Sequence, residues 1–162
     1  MAKKVNLGIF SFTGDEGCVI TLIETLNDYL FKWKDHIHIQ YSRALQKNNI
    51  LKDIDIAIVE GAISAEKEAK RLRQIRKNSK ILIALGSCAI DGTPSNHRNF
   101  FDEKKMKEIQ PMLDKFGLNK TVEPLHKFVK VDDSVPGCPM IDKVFVEKMY
   151  KYFSQSGLNV PR

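Results

Sequence analysis

Three short apolar runs, Val5–Phe10, Ile54–Val59 and Lys80–Leu85, constrain the fold most, because each ends near a glycine-bearing turn. Runs of this length, bounded by turn residues, read as buried strands. Between them stand segments with a helical period. Cys18–Lys34 places Val19, Leu22, Ile23, Leu26, Tyr29, Leu30 and Trp33 on one face, and Ala65–Lys77 is rich in charge and in good helix formers. Ile37–Tyr41 adds a strand, Glu103–Phe116 a helix around Pro111, Phe128–Val131 a short extended piece and Asp142–Phe153 a closing amphipathic helix. Strands and helices in alternation predict an α/β fold, a central parallel sheet with helices on both faces. Such sheets bind ligands at the carboxyl ends of their strands. There the three runs present Asp15 with Cys18, then Glu60, then Cys88.

Composition narrows the function classes. A chain of 162 residues, 43% apolar, suits a single domain over 1–162 with a real core. No apolar run approaches the roughly 18 residues of a membrane span. The net charge of +6 is modest, and basic residues such as Lys70, Arg71, Arg73, Arg76 and Lys77 belong to a solvated helix face. No interleaving of aromatic and basic residues points to nucleic acid. His36 and His38 share a strand face without a third ligand nearby, so they carry no metal pattern.

The three cysteines carry the chemistry. Cys18 closes Thr13-Gly14-Asp15-Glu16-Gly17-Cys18, Cys88 lies in Gly86-Ser87-Cys88-Ala89, and Cys138 lies in Pro136-Gly137-Cys138-Pro139. Glycine and proline neighbours let a backbone approach a bulky inorganic group and aim amides at it. Three thiolates on tight turns are what an iron–sulfur cluster requires. The fourth ligand then has to be something other than cysteine, and Asp15, three residues before Cys18, is the first choice. Asp is also a strong N-cap, so Asp15 has a purely structural alternative at the start of the helix. An odd number of cysteines and a polar, lysine-rich start argue against disulfides and a secretory leader. Reduced cysteines in a cytoplasmic setting are expected.

These residues resemble a known family, the small subunits of nickel-iron hydrogenases and the related 20-kilodalton subunit of NADH:quinone oxidoreductases. The resemblance rests on Gly86-Ser87-Cys88-Ala89, on Pro136-Gly137-Cys138-Pro139 and on Val59-Glu60-Gly61, in this order and spacing. It covers almost the whole chain. It implies a flavodoxin-like three-layer domain holding one 4Fe–4S cluster through Cys18, Cys88 and Cys138. The family's first motif, Cys-x-x-Cys, is here Asp15-Glu16-Gly17-Cys18, which puts Asp15 in the first ligand's place. A 3Fe–4S cluster results if no carboxylate holds the fourth iron, and water or Glu16 is the other occupant of that position.

The resemblance also implies partners. Hydrogen chemistry in the family takes place at a nickel-iron centre in a separate large subunit. This chain would then be a cytoplasmic electron-transfer subunit that docks its cluster rim on that large subunit, with a further electron-transfer subunit as a second partner. The turn 13–18, the loop 86–99 and the turn 136–140 would form the interface. Asp91–Phe101, with His97, Arg98, Asn99, Phe100 and Phe101, is rich in interface-type residues. Two other readings stay open. One is a quinone- or ferredoxin-linked module without hydrogen chemistry. The other is a flavin-binding or purely structural domain without a cluster, although Asp15 and Glu16 would repel a phosphate from the turn before the helix.

Overall fold

The middle of the sheet follows from burial on both faces. In the computed structural model, which describes residues 4–161, β3 (Ile54–Glu60) is buried at every position but Asp55. A strand this apolar cannot leave a face to water. It pairs with β1 (Val5–Ser11) on one side and β4 (Ser79–Leu85) on the other. β2 (Ile37–Ser42) and β5 (Asp133–Val135) complete a parallel sheet of order β2-β1-β3-β4-β5. This is the flavodoxin-like strand order, and it bears out the expected fold class.

Alternation along each strand divides the core in two. Leu7, Ile9, Ile56, Ile58, Ile83 and Leu85 face α1 (Gly17–Asp28) and α6 (Asp142–Gln155), packing with Leu22, Phe145 and Phe153. Phe10, Ala57, Val59, Leu82 and Ala84 face α3 (Glu66–Lys77) through Ala69, Leu72 and Ile75. The long helix expected over Cys18–Lys34 breaks at Tyr29 and resumes as α2 (Leu30–Trp33). Beyond the break, Trp33 is fully buried against Tyr29, Phe145 and Phe153.

Two expectations from sequence shift. Phe128–Val131 is not extended; the last strand begins at Asp133. Phe128, Val129 and Val131 instead cover the α3 face of the core. The amide of Leu82 donates to the Asp132 carboxylate at 2.9 Å, and the Asp132 amide donates back to Leu82 O at 2.9 Å. The chain is therefore locked to β4 one residue before the ladder starts. Cys88 lies within a short helix, α4 (Gly86–Asp91), rather than in an open turn. α5 (Glu103–Phe116) runs unbroken through Pro111. Only Leu113 of that helix is buried, so the carbonyl that Pro111 leaves unbonded can face water. No helix among the described residues is long and apolar enough to cross a membrane.

Asp133 ties the shortest strand to α6. It accepts from Lys148 at 2.5 Å, from Tyr152 Oη at 2.9 Å and from Lys151 at 3.0 Å. Burial alone would raise its carboxyl, but these bonds and the Ser134 amide outweigh burial and hold it well below the usual carboxylate range. A depressed carboxylate stabilises the fold above its unfolded pKa of about 3.9 and loses that contribution as pH falls toward the folded value. Asp133→Asn should therefore lower stability by about 1–3 kcal/mol at neutral pH. In urea unfolding the gap between wild type and variant should narrow at about pH 3. A gap of equal size at both pH values would refute this role.

Candidate metal centre

Register builds the site. At the carboxyl edge of the sheet, Ser11 pairs with Glu60, Glu60 with Leu85, and Leu85 with Val135. One row therefore ends four strands together. The segments that follow carry Asp15 with Cys18, Gly61, Cys88 and Cys138. Cys88 and Cys138 each stand three residues beyond paired partners, Leu85 and Val135.

The turns are laced to one another. The amide of Phe12 donates to Glu60 O at 3.0 Å, and Thr13 and Ala62 exchange backbone bonds of 3.0 and 2.8 Å. Gly61 permits this crossing. Its φ is 87°, and a Cβ there would come within 2.8 Å of the Phe12 carbonyl carbon. The Ser87 amide donates to Gly137 O at 2.9 Å and joins the other two turns. All three cysteine segments meet at Gly86, which has φ 81°. A Cβ on Gly86 would collide with Cys18 Sγ and would lie 3.3 Å from Gly137 O. Only glycine lets the Cys18 sulfur sit against the backbone of the Cys88 segment.

Cys18 is buried, Cys88 is half-buried and Cys138 is exposed. Burial pushes the Cys18 thiol up to about 11, against the Met140 amide that lowers it; Glu60, Cys138 and Cys88 lie close enough to add further Coulombic rises. Cys88 Sγ accepts a hydrogen bond from Ser95 Oγ at 3.2 Å.

Glu60 is the one acidic side chain among the described residues that is fully buried, at 3% exposure. Its Oε1 accepts from the Cys18 amide at 3.1 Å, while Oε2 is buried without a partner. Burial raises its carboxyl, and Asp15 and Glu16 add to the rise against the bonds from Cys18 and Val19. Sequence alone placed Glu60 on the rim and gave it no role. The signal was a charged residue closing an otherwise apolar strand.

Asp15 is exposed, and its Oδ1 accepts from the Gly17 amide at 3.0 Å. This bond closes a local side-chain turn onto the first residue of α1; the N-cap itself is Glu16, whose φ is 62° and whose side chain makes no capping bond. Among the described residues no three His, Cys, Asp or Glu side chains gather as a single-ion site would require. A cubane cluster spreads its ligands over several irons, so its thiolates stand farther apart than the donors of one ion. The donor set fits such a cluster in kind: three thiols on converging turns, a glycine wall at Gly86 and an unpartnered carboxylate oxygen beside Cys18.

The segment Asp91–Phe101 is fastened from below. Arg98 donates to the carbonyls of Asn119, Ser64 and Lys120 at 2.8, 3.2 and 3.3 Å, and Asn99 exchanges two bonds of 2.8 Å with the Val122 backbone. These two residues hold the loop. Phe100, at 78% exposure, is what the loop presents.

Comparison with known proteins places this rim in context. A family model described as NADH ubiquinone oxidoreductase, 20 Kd subunit, matches residues 16–152. A subunit of the F420-non-reducing hydrogenase vhu of Methanocaldococcus jannaschii is 29% identical, over 88% of this chain and 54% of that protein. The NAD-reducing hydrogenase HoxS subunit delta of Cupriavidus necator is 26% identical, over 84% of this chain and 72% of that protein. The chain thus spans a little over half the length of the first of these relatives. A solved chain of an NAD+-reducing NiFe-hydrogenase in the H2-reduced state matches with TM-score 0.81 and 22% identity, over 98% of this chain and 95% of that one. A chain of the NiFeSe-hydrogenase from Dm. baculatum gives 0.65 and 17%, over 96% and 64%. At those identities the likeness speaks for the fold, while the family model spans most of the chain. The protein belongs to the NADH ubiquinone oxidoreductase 20 kDa subunit family.

Proposed function

We propose that this chain is the electron-transfer small subunit of a cytoplasmic nickel-iron hydrogenase, and that Cys18, Cys88 and Cys138 hold one 4Fe–4S cluster. The observation that carries the reading is the meeting of all three cysteine segments at Gly86. The similar proteins named as hydrogenase subunits, and the NiFe-hydrogenase among the similar solved structures, support a partner that bears the nickel-iron centre, which is the large subunit of this reading. A bound cluster would supply one-electron transfer between that centre and an acceptor. The chain's own residues set the conditions. Gly86 keeps side chains away from the inner sulfur, Ser95 donates to the Cys88 sulfur, and the Cys18 amide is held by Glu60. Hydrogen bonds to sulfur and solvent exposure are what tune cluster potentials.

Two carboxylates compete for the fourth iron. Asp15 stands at the motif's ligand position, with Oδ1 on the Gly17 amide and its second oxygen left for a ligand bond. Glu60 is the second choice, favoured by its burial and its unpartnered Oε2. A quinone- or ferredoxin-linked role without hydrogen chemistry is the second functional reading, favoured by the description of the matching family itself.

Replacing any of the three cysteines by Ala should lower iron and sulfide content. Full iron in Cys88→Ala would sink the cluster assignment. Asp15→Ala should convert the electron paramagnetic resonance signal toward that of a 3Fe–4S centre, and Asp15→Cys should shift the potential. If Asp15→Ala keeps the wild-type signal while Glu60→Gln loses an iron, the carboxylate ligand is Glu60.

The proposed interface surrounds the outer sulfur. Cys138 is exposed, and Ile20 and Ile141 stand 57% and 46% exposed on the neighbouring α1 and the turn before α6. An obligate interface there should bury more than roughly 2,000 Å² in total. The double variant Ile20→Glu, Ile141→Glu should keep its circular dichroism spectrum and fail to co-purify with the large subunit. Undiminished co-purification would move the interface elsewhere.

A further inference from the structure

A sulfur that ligates iron gains negative charge when an electron arrives, and a hydrogen bond to it weighs more in that state. Among the described residues one side chain donates to any of the three sulfurs. It is Ser95, whose Oγ lies 3.2 Å from Cys88 Sγ. Cys18 Sγ instead accepts from the Met140 amide, and Cys138 is exposed. A sulfur bound to iron carries no proton, so between Ser95 and Cys88 the hydroxyl has to be the donor.

The chain after Cys88 is folded so that this hydroxyl arrives. α4 ends at Gly92, with φ 90°, whose amide donates to Cys88 O at 3.0 Å. The Thr93 amide donates to Asp91 Oδ1 at 2.9 Å, and the Asn96 amide to Gly92 O at 2.8 Å. Residues 91–96 thus form a tight turn that returns Ser95 to the helix it left. Beyond the turn, Arg98 and Asn99 fasten the segment to the backbone of Ser64 and of residues 119–122. These bonds hold the segment without help from Ser95. The Ser95 hydroxyl has no other hydrogen-bond partner among the described residues. A hydroxyl spent only on a sulfur, on a loop fastened by other groups, has an electronic use rather than a structural one.

We infer that Ser95 is a positioning residue that raises the reduction potential of the cluster, by stabilising the reduced state at the Cys88 corner. The inference rests on the cluster assignment above and names the side chain that tunes it. One electron enters from the nickel-iron centre of the partner subunit and leaves to the acceptor. No bond forms or breaks at Ser95, and its proton stays on Oγ. The hydroxyl dipole offsets part of the charge added at sulfur, so the reduced form is favoured over the oxidised one. Ser95 and Cys88 are both half-buried, so water screens the bond only in part.

The test uses the full chain, purified without air and with its large subunit where the two co-purify. Electron paramagnetic resonance during a dithionite titration reads the midpoint potential. Ser95→Ala should keep full iron and sulfide and disfavour the reduced cluster by several-fold to about tenfold, a downward shift of up to about 59 mV for one electron. Ser95→Thr keeps the hydroxyl and should restore the wild-type potential. In resonance Raman spectra the iron–cysteine sulfur stretch should rise in Ser95→Ala and stay in place in Ser95→Thr. An unmoved potential in Ser95→Ala with iron intact would overturn the role of Ser95 and leave the cluster standing. Equal shifts in the Ala and Thr variants, or loss of iron in Ser95→Ala, would make Ser95 a packing residue and overturn it too. A wild-type protein without iron and sulfide would overturn the cluster assignment itself, and this inference with it.

Discussion

A single hydrogen bond, from the amide of Cys18 to a carboxylate at the end of the central strand, organises the rim. It joins the start of α1 to β3, the most buried strand, and fixes where the inner sulfur can lie. Leaving a buried acceptor unpartnered costs about 1–3 kcal/mol, and Glu60 keeps one oxygen in that state. A position with only a packing role would relieve that cost with an apolar side chain. The neighbouring turns are built to the same constraint. Gly61 lets the Phe12–Thr13 backbone cross close above β3, and Gly86 leaves room for sulfur where any side chain would intrude.

Much of the architecture was legible because parallel strands buried on both faces announce themselves as apolar runs. The strands at Val5, Ile54 and Lys80 fell where their composition put them, within a residue or so. The last strand did not. Phe128, Val129 and Val131 look like a strand because they are β-branched or aromatic, yet that apolarity serves the core over α3. The pairing begins at Asp133 and Ser134, whose polarity hides it, since the carboxylate of Asp133 is consumed by Lys148, Lys151 and Tyr152. The Tyr29 break was equally silent, because the apolar period continues across it.

At the rim, the glycine-bracketed cysteines pointed to a common site, and the shared register of Leu85 and Val135 explains why they can do so. The role of Glu60 was not legible. A local motif shows which residues flank a turn, but not that a carboxylate from another strand reaches its amide. Asp15 is the reverse case. Its position in the motif is conspicuous, while its actual bond is to the next turn of its own chain. The Ser95 hydroxyl was also beyond reach, because the tight turn after α4, and no motif, brings it to the Cys88 sulfur.

The three sulfurs lie at graded depth, and that gradient gives them different chemical lifetimes. A thiol reacts with alkylating or oxidising reagents as its thiolate, and only where the reagent can reach it. Cys18 is shielded and its proton is held tightly, so in the metal-free chain it is the most inert of the three. Cys138 meets solvent directly. Chemical damage would therefore begin at the outer corner of the rim and spare the inner one, leaving the sulfur that is packed into the core until last.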